Sequence, residues 1–175
     1  MTLEGKKVAF LVAEGVEDLE YYAVAMRLQE EGMVVLTAAM DLKSVKGKNG
    51  LEIKPDTKIE ELVADDLFGL VLPGGWAPDK VRRYKVATDL VAKVNEQGKI
   101  IGIICHGGLL AISAKIVAGK KTVGSLGIKD DLLNAGATWV DESAFRDGNQ
   151  VWGRVVADIP AFNRELVAAF QQAAA

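Results

Sequence analysis

The chain has 175 residues, of which 50% are hydrophobic and 26% are charged, a balance typical of one compact domain spanning residues 1–175. Its net charge of −3, without clustered Lys and Arg, argues against nucleic acid as a partner, and no apolar stretch reaches the ~18 residues needed to cross a membrane. One cysteine excludes an internal disulfide, and without a secretory leader at the start of the sequence we expect a cytoplasmic protein.

The first part of the sequence predicts a strand, an acidic loop and a helix. Residues 8–13 form a continuous apolar run, as expected for a buried parallel strand. The acidic loop of residues 14–18 follows, and Asp18 is a favourable N-cap for a helix that Gly32 would end. Apolar residues recur along this helix at the spacing of one helical face: Leu19, Tyr22, Ala23 and Met26.

Two more strands and a hairpin are predicted next. Residues 33–39 and 68–72 are apolar runs of strand length. Between them, a polar turn signal predicts a small hairpin over residues 44–54, outside the main sheet. The Pro-Gly-Gly loop of residues 73–75 ends the third strand and exposes backbone N–H groups, so it is a candidate anion site.

The middle of the chain leads to a distinctive pair of residues. Residues 81–85 are mostly polar, which favours an exposed lid or a subunit contact, and a helix ending at Gly98 follows. The apolar strand of residues 100–104 then runs directly into Cys105 and His106, the only cysteine and the only histidine. Two glycines come next, so the pattern predicts a sharp turn between a buried strand and a helix, where α/β enzymes carry nucleophiles.

The last third of the chain continues the alternation of helices and strands. The predicted elements are a buried helix from residue 109 to Gly119, a short helix over residues 128–135, strands over residues 139–145 and 151–155, and a helix that Pro160 opens. This alternation predicts an α/β fold with a doubly wound, mostly parallel sheet. Such sheets bind ligands at the carboxyl ends of their strands, and Glu17, Gly74, Gly75 and Cys105 all fall at that edge.

Cys105 and His106 are the main catalytic candidates. The turn would aim the thiol out of the sheet, and a helix N-terminus behind it would favour the thiolate. The alternative is an inert, buried cysteine. His106 could act as general base or acid, or it could face solvent or a subunit interface, because neighbours on a turn can point apart.

Three further residues are weaker candidates. Glu17 could contact the sulfur or relay a proton, whereas Glu14, Asp18 and Glu20 are more simply explained as a solvated face or a helix start. Gly74 and Gly75 could donate backbone N–H groups to an oxyanion, or could form an ordinary turn. We expect no metal site and no cofactor, because there is one histidine, one cysteine and no phosphate-binding glycine fingerprint.

Taken in order along the chain, several short motifs resemble the ThiJ/PfpI family, the intracellular-protease-like branch of the class I glutamine amidotransferase-like superfamily. The motifs are EGVED at residues 14–18, LPGGWAPD at 72–79, ICHG at 104–107, GIKDD at 127–131, NAG at 134–136 and RVVAD at 154–158. The resemblance implies a flavodoxin-like three-layer sandwich. It also implies a homodimer or a trimer of dimers.

The resemblance assigns a role to each candidate. Cys105 would be the nucleophile, Glu17 would contact its sulfur, and Gly75 with the His106 amide would form the oxyanion hole. An acid from a neighbouring subunit would orient His106, and Asp79 occupies the matching position, where the family usually carries glutamate.

The predicted function is that of a cysteine-dependent hydrolase or lyase in stress protection. Its substrate would be a small reactive carbonyl, as in glyoxalase and deglycase chemistry, or a peptide. A second hypothesis is a non-enzymatic redox sensor or chaperone that uses oxidation of Cys105. A third is a structural subunit whose site has decayed.

Overall fold

A computed structural model describes residues 2–175, and the long apolar runs of the sequence lie side by side in one sheet. In chain order the strands are β1 (Lys7–Leu11), β2 (Val34–Ala39), β3 (Val45–Lys46), β4 (Glu52–Ile53), β5 (Thr57–Lys58), β6 (Gly69–Leu72), β7 (Ile100–Ile104), β8 (Lys121–Thr122), β9 (Thr138–Trp139), β10 (Ala144–Asp147) and β11 (Gln150–Gly153). The helices are α1 (Asp18–Glu30), α2 (Ala77–Val81), α3 (Lys85–Glu96), α4 (Gly108–Ser113), α5 (Lys129–Asn134) and α6 (Ile159–Ala174).

The main sheet has seven strands in the order β10-β11-β7-β6-β1-β2-β5. All neighbouring pairs are parallel except β10 and β11, which form an antiparallel hairpin at one edge. From β1 the chain moves outward to β2 and later returns to the other side of β1 as β6. The gap between the carboxyl ends of β1 and β6 is therefore the switch point at which such sheets bind ligands.

Helices cover both faces of the sheet and give three layers. On one face, α1 and α6 bury side chains such as Leu28 and Phe162 against Phe10. On the other face, α3, α4 and α5 bury side chains such as Val91 and Leu110. The predicted α/β sandwich with a mostly parallel sheet is confirmed. Within residues 2–175, none of the helices combines the length and apolar character needed to span a bilayer.

Helix α1 is oriented differently from the prediction. Glu17, rather than Asp18, is its N-cap, because the Glu17 side chain accepts a hydrogen bond from the Glu20 backbone N–H. The predicted apolar stripe is not the buried face, because Leu19 and Met26 are 49% and 60% exposed and Tyr22 and Ala23 are only partly buried. The buried side instead carries Glu20, Val24 and Leu28, which are spaced four residues apart. Burial of this side brings a carboxyl group into the interior.

Three other predictions need correction, and one is confirmed. The helix predicted from residue 109 to Gly119 ends at Ser113, and Lys115 just beyond it has a φ of +59°. Residues 139–145 are not one strand, because acidic residues interrupt them and the two ends pair separately, β9 with β8 and β10 with β11. Val81 is fully buried as the last residue of α2, since it packs into the core beneath α3 and α4. The hairpin predicted over residues 44–54 is present as β3 and β4, outside the main sheet.

Candidate active site

Cys105 lies on a tight elbow at the carboxyl end of β7. Ile104 is still extended, but Cys105 has a φ of +58°, which L residues with a side chain rarely adopt. The following glycine is required by packing, because a Cβ on Gly107 would lie 2.2 Å from the carbonyl oxygen of Leu72. The surrounding backbone therefore fixes the elbow and turns the thiol out of the sheet, as the sequence pattern predicts.

The carboxyl group beside the thiol belongs to Glu20, not to Glu17. Glu20 is fully buried, and its Oε2 accepts the backbone N–H of Gly74 at 2.7 Å. A Cβ on Gly74 would lie 2.5 Å from Glu20 Oε2 and 2.8 Å from Cys105 Cβ, so the three residues meet at one point. Glu20 Oε1 is buried and has no hydrogen-bond partner of normal geometry among residues 2–175. This oxygen is available to a proton or to a substrate.

Glu17 has a structural role instead. It is 4% exposed, and its two carboxylate oxygens accept the backbone N–H of Glu20 and the side-chain amide of Asn49, both at 2.9 Å. Glu17 thus caps α1 and holds the loop of the β3–β4 hairpin. The expected contact between Glu17 and the sulfur is absent among the described residues, because the helix turn that follows carries Glu20 to that position instead.

Burial sets the protonation of the pair. It raises the pKa of Glu20 to about 7, against the opposing effects of the Gly74 amide and the Cys105 thiol. Burial, followed by the charge of Glu20, raises the pKa of Cys105 to about 12, although the amides of His106 and Gly75 act in the opposite direction. Burial and the charge of Glu20 therefore outweigh the expected stabilisation of the thiolate by a helix N-terminus. At neutral pH the sulfur is a thiol that shares its surroundings with a half-protonated carboxyl group.

His106 points toward its neighbour and can take the thiol proton. Its Nδ1 lies 3.3 Å from Cys105 Sγ. Burial, together with the charge of Lys48, lowers the pKa of His106, so the imidazole is neutral at neutral pH. In the tautomer that carries its proton on Nε2, Nδ1 is free to accept a proton. The geometry needed for a general base is thus present.

Asp79 does not reach His106 within the chain. It lies on α2 with its side chain 56% exposed and forms an ion pair with Arg83, one helical turn later. Among the described residues, no carboxylate is hydrogen-bonded to His106. Orientation of His106 by Asp79 would require a second copy of the chain.

The two glycines after β6 have separate functions. The Gly74 N–H is occupied by Glu20, whereas the backbone amides of Gly75 and His106 act on the Cys105 sulfur and favour its anionic form. Gly75 has a φ of +71°, and a Cβ there would lie 2.4 Å from both the Glu17 nitrogen and the Gly15 oxygen. Only glycine fits, and the resulting pair of amides is placed to stabilise negative charge beside the sulfur.

Comparison with known proteins identifies the family. Residues 6–169 match the model of the DJ-1/PfpI family. The chain belongs to this family. It is 41% identical over 161 residues to a deglycase of Pyrococcus horikoshii, a match that covers 92% of this chain and 97% of that protein. General stress protein 18 of Bacillus subtilis is 35% identical over 171 residues, covering 96% of this chain and 99% of that protein.

A solved structure shows the same architecture. A two-domain protein of Anabaena variabilis, with DJ-1/ThiJ/PfpI-like and ferritin-like domains, superposes with a TM-score of 0.91 at 34% identity. The match covers 93% of this chain and 47% of that one. The family predicted from the short motifs and the flavodoxin-like fold are thus confirmed, and the names of DJ-1/PfpI relatives support an enzyme.

Two residues of the site were missed by the sequence analysis, Glu20 and Lys48. For Glu20 a signal existed, because Glu20, Val24 and Leu28 share one helix face and two of the three are apolar. For Lys48 there was none, since the placement of its loop depends on long-range hydrogen bonds. No group of three His, Cys, Asp or Glu side chains among residues 2–175 is arranged to hold a metal ion.

Proposed function

We propose that the protein is a cysteine-dependent enzyme that acts on reactive carbonyl compounds of the glyoxal type or on their adducts with proteins. One observation carries this proposal: three kinds of group converge on a single sulfur. They are a neutral imidazole 3.3 Å away, a buried carboxyl group with an unpartnered oxygen, and two backbone amides. Addition of a thiol to an aldehyde needs a proton acceptor and stabilisation of a developing oxyanion.

The first step forms a carbon–sulfur bond. The Cys105 sulfur adds to the aldehyde carbon while its proton passes to His106 Nδ1 or to Glu20. The carbonyl oxygen becomes an alkoxide beside the amides of Gly75 and His106, and it then takes up that proton to give a hemithioacetal. Because the base removes the proton as the bond forms, a thiol of raised pKa is compatible with this step.

The second step moves a proton between adjacent carbons. For a glyoxal-type substrate, the Glu20 carboxylate would remove the proton from the former aldehyde carbon and return it to the neighbouring carbonyl carbon, while the hydroxyl proton of the hemithioacetal moves to the neighbouring carbonyl oxygen. The product is a thioester of a 2-hydroxy acid, and water then breaks the carbon–sulfur bond and restores the thiol. One carbon is oxidised and its neighbour reduced, so substrate plus one water accounts for all atoms and electrons.

The protonation state of the thiol favours this enzyme over a peroxide sensor. Peroxide reacts with the thiolate, and sensor cysteines have lowered pKa values and open access. Here burial and Glu20 raise the pKa of Cys105 to about 12. A preformed thiolate is therefore scarce at neutral pH, whereas an enzyme can generate it during attack.

We also propose that oligomerisation completes the orientation of His106. The exposed position of Asp79, on a helix that also presents the 61% exposed Trp76 at its N-cap, is compatible with a contact between copies. Light scattering on the purified protein gives the assembly size. Asp79→Asn would lower turnover only in an assembled enzyme, and unchanged turnover in a stable oligomer would rule out this role.

The decisive test is consumption of methylglyoxal by the purified protein, alongside a fluorescent peptide substrate. We expect methylglyoxal turnover that is lost in Cys105→Ser and strongly reduced in Glu20→Gln. Turnover of the peptide alone would indicate that the enzyme is a peptide hydrolase instead. Absence of turnover on both substrates, in a protein of normal unfolding temperature, would overturn it.

A further inference from the structure

Two buried carboxylates at the start of α1 hold the loop between β3 and β4. Asp18 is 2% exposed and accepts the backbone N–H groups of Asn49 and Leu51, both at 2.8 Å. Glu17 accepts the side-chain amide of Asn49 at 2.9 Å. Gly47 packs so closely that a Cβ there would lie 2.2 Å from Asp18 Oδ1. An exposed loop tip is thus fixed by buried charged groups.

This loop adjoins the wall of the thiol site. The Lys48 backbone N–H donates to the carbonyl of Val16 at 2.9 Å, and Val16 pairs with Gly75 in an isolated β-bridge. Gly75 is the glycine whose amide acts on the Cys105 sulfur. Val16 therefore connects the backbone of Lys48 to Gly75, and so to the candidate oxyanion site.

The charge of Lys48 acts on the site while the lysine itself is unpaired. Its ammonium group favours the ionised form of Glu20 and the neutral form of His106, so it lies within electrostatic range of both. Among residues 2–175, its side chain makes no ion pair and no hydrogen bond, in contrast to Arg27, Arg83 and Arg154. The nearby carboxylates of Glu17 and Asp18 are already engaged by the loop.

We propose that Lys48 binds an anionic group of the substrate, so that the preferred substrates are 2-oxoaldehydes that also carry a carboxylate. Glu17 and Asp18 are positioning residues, because they hold the loop that carries Lys48. The inference rests on the proposed attack of Cys105 on a carbonyl carbon. It narrows that proposal from glyoxal-type compounds in general to those that carry a carboxylate. Glyoxylate, an aldehyde with a carboxylate but no ketone, can form the hemithioacetal but cannot undergo the proton shift, so it is a probe of binding.

A pair of alkylating agents tests the charge preference without turnover. Iodoacetate and iodoacetamide are similar in size but differ by one negative charge, and Cys105 is the single thiol in the chain that they can alkylate. Peptide mass analysis follows the reaction at this residue. We expect Lys48→Ala to lower the iodoacetate to iodoacetamide rate ratio about 3- to 10-fold at low salt, and about 0.5 M NaCl to lower the wild-type ratio in the same direction. Lys48→Arg should retain the wild-type ratio.

Two further variants separate position from charge. Lys46→Ala removes the same charge from the same hairpin and should leave the ratio unchanged. Asp18→Asn should lower the ratio while leaving the rate with neutral iodoacetamide nearly constant, which a general loss of structure would not do. An unchanged ratio in Lys48→Ala, or an equal fall in Lys46→Ala, would overturn the inference.

Inhibition kinetics then connect the inference to catalysis. We expect glyoxylate to compete with methylglyoxal for the site, and Lys48→Ala to raise the inhibition constant of glyoxylate several-fold while leaving KM for neutral methylglyoxal unchanged. An unchanged inhibition constant, or an equal rise in KM for methylglyoxal, would contradict a carboxylate contact. If the wild-type protein did not turn over methylglyoxal, the proposed function would fail, while the alkylation ratio would still decide whether Lys48 attracts anions to the thiol.

Discussion

Glu20 and Cys105 act on each other's protonation in opposite directions. The charge of Glu20 raises the pKa of the Cys105 thiol, whereas the thiol, as a donor, lowers the pKa of Glu20. The pair therefore holds its proton on sulfur in the resting state, and in the proposed reaction that proton passes to Glu20 when the sulfur attacks. In the proposed reaction, Glu20 therefore takes part in the proton transfer itself and does not only lie beside the thiol.

Glu20→Gln separates the function of Glu20 from that of Glu17. We expect the amide to lower kcat/KM for methylglyoxal by about 100-fold or more, because it cannot accept or return a proton. Glu17→Gln keeps an oxygen acceptor for the helix cap and should change kcat/KM by less than about 3-fold. Steady-state kinetics on both variants checks this, and the reverse order of effects would restore Glu17 as the catalytic carboxylate.

Stability should depend on pH through Glu20. Because burial raises its pKa from 4.5 to about 7, the folded protein binds more protons than the unfolded chain between these values. The contribution of Glu20 is complete below pH 4.5 and is lost as the pH rises to about 7, a fall of about 3 kcal/mol in the free energy of unfolding.

Urea unfolding of the wild type and of Glu20→Gln over this pH range isolates the effect. The difference between the two proteins removes the contributions of Asp18 and Asp158, whose lowered pKa values change stability with the opposite sign. A difference that does not vary between pH 4.5 and 7 would show that the folded protein does not shift the titration of Glu20.

The sequence predicts the position of the thiol but not the identity of its partner carboxylate. A strand that runs into Cys-His-Gly-Gly defines the elbow locally, because apolar length and glycine freedom determine it. The orientation of α1 is not local. Its apolar residues Leu19 and Met26 indicate one buried face, yet the opposite face packs into the core and brings Glu20 against Gly74 and Cys105. Tertiary packing therefore overrides the hydrophobic pattern at the residue that matters most for chemistry.

The hairpin illustrates a second limit. Its turn signal locates β3 and β4 correctly, because turn residues act over a few positions. Its docking onto Glu17 and Asp18 joins residues about 30 positions apart, for example Asn49 and Asp18 with a separation of 31. Such pairing leaves no periodic signal in the sequence, so the contribution of Lys48 becomes visible only in the fold.

Glycines around the elbow should differ sharply in their tolerance of a methyl group. Gly107→Ala places Cβ 2.2 Å from the Leu72 carbonyl oxygen, and we expect a loss of more than about 3 kcal/mol in unfolding free energy. Gly127→Ala is the matched control, since its nearest atom, His106 Nε2, is 3.7 Å away, and it should change stability by less than about 0.5 kcal/mol. Thermal or urea unfolding compares them, and similar losses would contradict the packing.

The backbone of Cys105 should be strained by its side chain. With a φ of +58°, glycine is the residue best suited to this position. Since both variants lack the sulfur, Cys105→Gly should be more stable than Cys105→Ala by about 1 kcal/mol. Unfolding of the two inactive variants measures the difference, and an alanine variant of equal stability would show that the elbow carries no strain.

The left-handed elbow has an evolutionary consequence. If folding stability were the only requirement, random substitution at position 105 would favour glycine over any residue that carries a side chain. A chain with cysteine at position 105 has a less stable backbone there than the same chain with glycine. Replacement of the cysteine by glycine would thus increase stability. The presence of cysteine at this position therefore indicates that the thiol has a function.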